Sequence, residues 1–120
     1  MDELVVGVGT RAGIDPEVVW ALVDDLRDGR EVTAVVTSER KATEPAVLAL
    51  AAYLGASLQV YADEELTGQP VAEPSERVTR LVGVPSVAEA AVLAAGAEVL
   101  ARGRCPTATA VLGRRVVSLG

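Results

Sequence analysis

Short β-branched runs alternate along the chain with longer segments whose hydrophobic residues recur at helical spacing. The first run, ELVVGVG, predicts a strand at about residues 3–9. The segment that follows predicts a helix, with Asp15 as its N-cap, Pro16 at its first position and Gly29 at its end. The residues that form its apolar face are Val19, Leu22, Val23 and Leu26.

The next three segments repeat this alternation. EVTAVVTS, residues 31–38, has an almost unbroken apolar interior, which is typical of a parallel strand buried on both faces. A helix is predicted at about 44–54, where Gly55 stops it, and SLQVYA at 57–62 predicts a third strand. The order strand, helix, strand, helix, strand indicates a three-layer α/β/α domain.

The acidic segment DEELTGQPVAEP interrupts this regular pattern. It predicts a short helical turn capped by Asp63, followed by an exposed loop. Ser75 is the predicted cap of another short helix that reaches Leu81.

A clearer helix follows in GVPSVAEAAVLAAG. Ser86 and Glu89 have the spacing of a capping box, and the helix is predicted to run to about Ala95. A short strand near 97–102 and one or two strands within 107–119 complete the chain. We therefore predict an α/β fold with a central, mostly parallel sheet of about five strands.

The composition fits one domain over residues 1–120. Half of the residues are hydrophobic, which is enough for a core without disulfide bonds. The net charge of −6 argues against nucleic acid or an anionic membrane as the partner. No basic and apolar leader and no membrane-length apolar run is visible, so we expect a cytoplasmic protein.

The absence of histidine limits the chemistry of the isolated chain. It excludes serine–histidine and cysteine–histidine catalysis, because the base is missing. Cys105 is the only cysteine, so neither an internal disulfide nor a zinc site is expected. We predict no metal and no cofactor.

Two loops are candidates for a ligand site. GTRAGID (9–15) follows the first predicted strand and SERKATE (38–44) follows the second. Ligands of open α/β sheets bind beyond the carboxyl ends of the strands. If the two strands are parallel, Arg11, Arg40 and Lys41 share one rim, where helix starts add partial positive charge and an anionic ligand is favoured.

Each of these residues also has a purely structural interpretation. Charged residues in loops are usually solvated. Thr43 is a plausible N-cap, Pro45 a plausible early-turn residue, and Glu44 a partner for the helix dipole.

GVGTRA also matches the loose glycine fingerprint of dinucleotide-binding proteins, with Glu39 at the end of the second strand. That fingerprint requires a helix that opens on the glycines, whereas this helix begins several residues later, at Asp15 and Pro16. We therefore prefer close packing and a tight turn as the roles of Gly7 and Gly9.

Four stretches together resemble the family formed by CobE and the C-terminal domain of CbiG: VVGVGTRAGIDPEVVWALVDDL, TSERKATEPAVLALAAYLGASLQVYADEEL, SERVTRLVGVPSVAEAAVLAAGA and TATAVLGRR. Lys41 and Glu44 match the lysine-x-x-glutamate loop of the family. The third stretch matches at Ser75, Val78, Gly83, Ser86, Glu89 and Ala90. The chain departs at Glu39, where members often carry aspartate. The resemblance covers residues 4 to about 115.

The resemblance implies cobalamin (vitamin B12) biosynthesis. One hypothesis is a protein that binds an anionic corrinoid (precorrin) intermediate at the rim. The alternative is a CbiG-type hydrolase that opens the precorrin-5A lactone and releases acetaldehyde, alone or with a partner chain, with Glu39, Glu44 or Glu89 as its base. A third is docking to other corrin-pathway enzymes through the acidic residues 63–76. The sequence does not decide between a monomer and a homodimer.

The predicted site follows from these arguments. The candidate catalytic residues are Lys41 and Glu44. The candidate ligand-binding residues are Gly9, Thr10, Arg11, Gly13, Ser38, Arg40, Lys41, Ser86 and Glu89.

Overall fold

The computed structural model describes residues 2–69 and 87–116. The strands are β1 (Asp2–Thr10), β2 (Val32–Ser38), β3 (Ser57–Tyr61), β4 (Glu98–Cys105) and β5 (Ala108–Val116). The helices are α1 (Pro16–Arg27), a 3₁₀ turn (Glu39–Lys41), α2 (Pro45–Leu54), α3 (Asp63–Thr67) and α4 (Val87–Ala94).

The five strands form one mixed sheet in the order β3-β2-β1-β5-β4. β1 and β3 pair with β2 in parallel, whereas β5 pairs antiparallel with both β1 and β4. Four of the five strands therefore point the same way. This confirms the α/β class and the sheet of five strands, and shows that the last segment forms one strand in a hairpin with β4.

Alternate residues of the strands point into two cores, one on each face of the sheet. Val6, Val8 and Val35 pack under α1 and α2. Val5 and Val36 pack under α4 with its buried Val92. The apolar interior predicted for a strand covered on both faces is thus observed, and the three-layer arrangement is confirmed.

Gly7 allows α4 to lie close to the centre of the sheet. A Cβ atom at this position would lie 2.1 Å from the carbonyl oxygen of Ala88 and 2.8 Å from Cγ2 of Val92. Only glycine fits beneath this helix without a backbone shift, so the packing role predicted for Gly7 is confirmed.

The predicted helix ends are correct in part. The Asp15 side chain accepts a hydrogen bond from the Glu17 N–H at 3.0 Å and caps α1 as expected. Glu44, not Thr43, is the N-cap residue of α2, so the cap predicted for Thr43 is wrong.

Asp63 is the first residue of α3 rather than its cap. The predicted helix from Ser75 to Leu81 and the predicted cap at Ser86 lie outside the described residues.

Candidate functional site at the carboxyl rim

The two predicted loops lie at the same edge of the sheet. β1 and β2 are parallel neighbours, so their last residues, Thr10 and Ser38, lie at the same edge of the sheet. The turn between β4 and β5 joins them, because the Arg11 N–H donates to the Thr107 carbonyl at 3.0 Å. We call this edge the carboxyl rim, comprising residues 9–15, 38–44 and 104–109.

A carboxylate joins the two loops. Oε1 of Glu44 accepts a hydrogen bond from the Gly13 N–H at 3.1 Å. Gly13 has φ +76°, a backbone conformation that favours glycine. Although it is the N-cap residue of α2, Glu44 makes no side-chain bond to its own helix. The carboxylate predicted to be catalytic therefore holds the first loop against the second.

Arg40 is held in place by two contacts. Its backbone N–H donates to Oγ of the buried Ser38 at 3.2 Å, as in a helix cap. Its guanidinium forms an ion pair with Asp63, at the start of α3. The positive charge predicted for ligand binding at Arg40 is thus shared with a carboxylate of the protein.

Lys41 and Arg11 differ from Arg40. Lys41 is partly buried and Arg11 is exposed. Within residues 2–69 and 87–116, neither side chain has an ion pair or a hydrogen bond. The structure therefore brings two uncompensated positive charges to the same rim of an acidic protein.

The starts of α1 and α2 add less positive charge to the rim than the sequence led us to expect. The carboxylate of Asp15 already occupies the first turn of α1. Pro16 and Pro45 occupy the first position of each helix and carry no N–H. Positive charge at this edge therefore comes mainly from lysine and arginine side chains rather than from helix termini.

Small and polar residues of β1 complete the rim. Oγ1 of Thr10 is buried and has no hydrogen-bond partner within the part of the chain that the structure describes. At Gly9 a Cβ atom would meet only ordinary contacts, the nearest being Cβ of Val87 at 3.8 Å. Packing therefore requires glycine at Gly7 but not at Gly9.

Glu89 lies inside the protein rather than at an open surface. Glu89 is 3% exposed, and its Oε1 lies 2.5 Å from Nε of Arg102 in β4. This ion pair ties α4 to the edge of the sheet, and breaking it would leave a buried charge. Ser86, its predicted capping partner, lies outside the described residues.

The β4–β5 turn brings residues to the rim that the sequence analysis did not select. β4 extends to Cys105, beyond the strand predicted near 97–102, and places Arg104 opposite Thr109. The Thr107 backbone N–H donates to the sulfur of Cys105 and lowers its pKa. A hairpin pattern around Cys105 and Pro106 could have revealed this register.

Neither a metal-ligand cluster nor a membrane-spanning helix is found among the described residues. Among them, no group of three or more cysteine, aspartate and glutamate side chains is placed to hold a metal ion. In the same parts of the chain, no helix is long and apolar enough to cross a membrane.

The fold and the rim together define an α/β domain with a cationic edge where its parallel strands end. Residues 4–113 match the family model described as Cobalamin synthesis G C-terminus. The chain belongs to this family, and the family belongs to the cobalamin biosynthesis pathway.

Solved structures agree with this assignment. CobE, a protein from the cobalamin (vitamin B12) biosynthetic pathway, is 29% identical, with 96% of this chain and 92% of CobE covered and a TM-score of 0.83. The cobalamin biosynthesis protein chiG from Agrobacterium tumefaciens str. C58 is 28% identical, with 92% and 96% covered and a TM-score of 0.62.

A cobalamin biosynthesis protein G homolog from Sulfolobus solfataricus shares the fold at 15% identity and a TM-score of 0.71. This chain is covered over 93% of its length but corresponds to 36% of that protein. A comparison with curated proteins found no match.

Proposed function

We propose that this chain, as one domain over residues 1–120, binds an anionic corrinoid intermediate of cobalamin biosynthesis at its carboxyl rim. The observation that carries the proposal is a pair of cations on one edge of a protein with net charge −6: Lys41 and Arg11, which have no ion pair or side-chain hydrogen bond within residues 2–69 and 87–116. Corrinoid intermediates carry peripheral carboxylates, and ion pairs with lysine and arginine are strong when water is partly excluded.

The loop contacts prepare these cations for a ligand. The Glu44–Gly13 hydrogen bond and the Arg11–Thr107 hydrogen bond fix both ends of the first loop. A loop that is already ordered loses less conformational entropy when a ligand binds. Glu44 therefore serves the proposed site by positioning Arg11.

One polar group of the rim is left for a ligand to satisfy. Oγ1 of Thr10 is buried without a hydrogen-bond partner among the described residues, and it would gain one if a ligand oxygen reached it.

A titration with hydrogenobyrinic acid, a corrinoid with free carboxylates, tests the proposal. We expect the absorbance of the corrinoid to change on binding, and Lys41→Gln to weaken binding by about tenfold. Arg30→Gln is the matched control, because Arg30 follows α1 and bonds only to backbone oxygens. No binding by the wild-type chain at high micromolar concentration would refute the proposal.

Hydrolysis of the precorrin-5A lactone is the other candidate activity, and the contacts of its candidate bases favour it less. Glu44 accepts the Gly13 N–H and Glu89 is buried against Arg102, which leaves Glu39 as the exposed carboxylate of this set. Release of acetaldehyde from the lactone, measured with a coupled alcohol dehydrogenase, would establish it. Loss of that release in Glu39→Gln alone would identify the base.

Docking to other enzymes of the pathway remains a separate proposal. Its acidic surface begins with Glu64 and Glu65 of α3, both exposed, while residues 70–76 lie outside the described parts. Copurification with a corrin-pathway enzyme that is lost in Glu64→Gln/Glu65→Gln would support it.

A further inference from the structure

The strand register places a third cation at the carboxyl rim. Arg104 is paired with Thr109 across β4 and β5, and Thr109 is paired with Gly9 across β5 and β1. Residues that are directly opposite in neighbouring strands point to the same face of a sheet. Gly9 faces α4, since its nearest neighbours are Val87 and the backbone of Ala88. Arg104 and Thr109 therefore lie on the α4 face of the rim.

Arg104 is available to a ligand. It is exposed, and within residues 2–69 and 87–116 its guanidinium has no ion pair or hydrogen bond. The neighbouring arginine of β4 differs, because Arg102 is committed to Glu89. Two arginines of the same strand face thus have different roles, one holding the fold together and the other carrying an uncompensated charge.

The spacing of the three uncompensated cations distinguishes between kinds of anion. Arg104 is the penultimate residue of β4, Arg11 follows β1 and Lys41 follows β2, and these strands lie in the order β2-β1-β5-β4. Strands lie about 4.8 Å apart, so the strand ends that carry these cations span about 14 Å. A phosphate or a single carboxylate is too small to meet all three, whereas a large ring with carboxylates on its circumference can do so.

We propose that Arg104 is a third anchor, which with Arg11 and Lys41 selects a large ligand bearing several well-separated carboxylates. This inference rests on the proposed corrinoid function and extends the site onto the β4–β5 hairpin. In the strand register, Thr109 and Gly9 lie between the outer anchors. Recognition then depends on the separation of the charges as well as on their sign.

A titration of hydrogenobyrinic acid into wild-type, Arg104→Gln and Arg30→Gln proteins tests this inference. Arg104→Gln and Arg30→Gln change the net charge equally, but only the first lies at the rim. We expect Arg104→Gln to raise the Kd about fivefold to tenfold and Arg30→Gln to leave it unchanged. Thermal unfolding of each variant checks that its fold is retained.

Two further probes test charge spacing and charge in turn. Citrate should compete poorly with hydrogenobyrinic acid, because its carboxylates lie too close together to reach three strand ends. Cyanocobalamin, whose ring carries amides in place of these carboxylates, should bind at least tenfold more weakly than hydrogenobyrinic acid.

The outcomes distinguish this inference from the proposed function. If Lys41→Gln weakened binding while Arg104→Gln did not, the third anchor would be refuted and the corrinoid site would stand. Effective competition by citrate, or equal binding of cyanocobalamin, would refute selection by charge spacing. No binding of hydrogenobyrinic acid by the wild-type chain would overturn both.

Discussion

The two ends of the sheet differ in how many of their positive side chains form ion pairs. At the amino end, Arg115 forms an ion pair with Glu3 and Arg114 forms one with Glu98. At the carboxyl rim, Arg11, Lys41 and Arg104 have no such partner among the described residues. Arginines and lysines alone therefore do not identify a site; what matters is whether the protein has already compensated them.

The amino end also has a depression. Its volume is about 430 Å³, and it is lined by Asp2, Gly96, Glu98, Arg114, Arg115 and Val116. Carboxylates of the protein already neutralise its arginines, so an added anion would have to displace them. The cavity is accordingly a poor anion site despite its shape, whereas three cations of the rim have no ion pair among the described residues.

The largest effect on stability is expected within β1, where Gly7 lies beneath α4 and Gly9 lies at the carboxyl rim. Gly7→Ala should lower the free energy of unfolding by about 3 kcal/mol or more, because the new Cβ would lie 2.1 Å from a carbonyl oxygen of α4. Gly9→Ala should change it by less than about 1 kcal/mol, since its contacts begin at 3.8 Å. Urea denaturation measures both, and equal losses in the two variants would show that our account of α4 packing is wrong.

At the amino end, Arg115→Gln should destabilise the fold by about 2 kcal/mol. The guanidinium pairs with Glu3, lies 3.3 Å from the Ala95 carbonyl and 3.4 Å from Oε1 of Gln59, so its loss removes several contacts of a charged donor. Affinity for hydrogenobyrinic acid should stay unchanged. A variant that kept its stability but lost binding would reverse the roles assigned to the two ends.

The stability of the fold should also depend on pH, because Glu3 at the amino end titrates differently in the folded and unfolded chain. The hydrogen bond from Arg115 lowers the pKa of Glu3 below its ordinary value of 4.5, so the unfolded chain binds this proton first as the pH falls. The stabilisation is complete above about pH 5 and is lost as the pH falls through the folded-state pKa, with a total on the order of 1 kcal/mol.

Glu3→Gln should make this acid dependence shallower without removing it. Asp24 contributes in the same direction, because a hydrogen bond from the Tyr53 hydroxyl lowers its pKa. Thermal unfolding between pH 3 and pH 7, compared between the wild type and Glu3→Gln, measures the difference. Identical pH profiles would contradict the stabilising role of the Glu3–Arg115 pair.

The smallest effect is expected for the compensated arginine of the rim, Arg40. Asp63→Asn removes the carboxylate that compensates Arg40, whose side chain is 71% exposed. The released guanidinium should strengthen hydrogenobyrinic acid binding by about threefold, with little change in stability, because exposed ion pairs contribute little. Weaker binding would indicate that the Arg40–Asp63 pair positions the loop rather than screening its charge.

The sequence predicted those features that depend on neighbouring residues. Asp15 caps α1, and the run before Ser38 is a buried parallel strand, because capping and burial leave local patterns. The strand pattern also placed Arg11 and Lys41 at one edge, because the carboxyl ends of parallel strands lie at the same edge of a sheet.

Contacts between distant residues could not be predicted in this way. The bond from Gly13 to Glu44 joins residues 31 positions apart, and the pair of Glu89 with Arg102 depends on how α4 lies on the sheet. Arg104 was missed because its place at the rim depends on the register of the β4–β5 hairpin. Which cations are compensated is therefore a property of the fold.

The central claim is that the uncompensated cations of the carboxyl rim bind a corrinoid polycarboxylate. Its most direct test is calorimetric titration of hydrogenobyrinic acid into the wild type, the rim variant Arg11→Gln/Lys41→Gln and the amino-end variant Arg114→Gln/Arg115→Gln, all at one salt concentration. We predict that the rim variant binds about 100-fold more weakly, as two tenfold losses combined, and that the amino-end variant binds like the wild type. Equal affinity of the wild type and the rim variant would contradict the account.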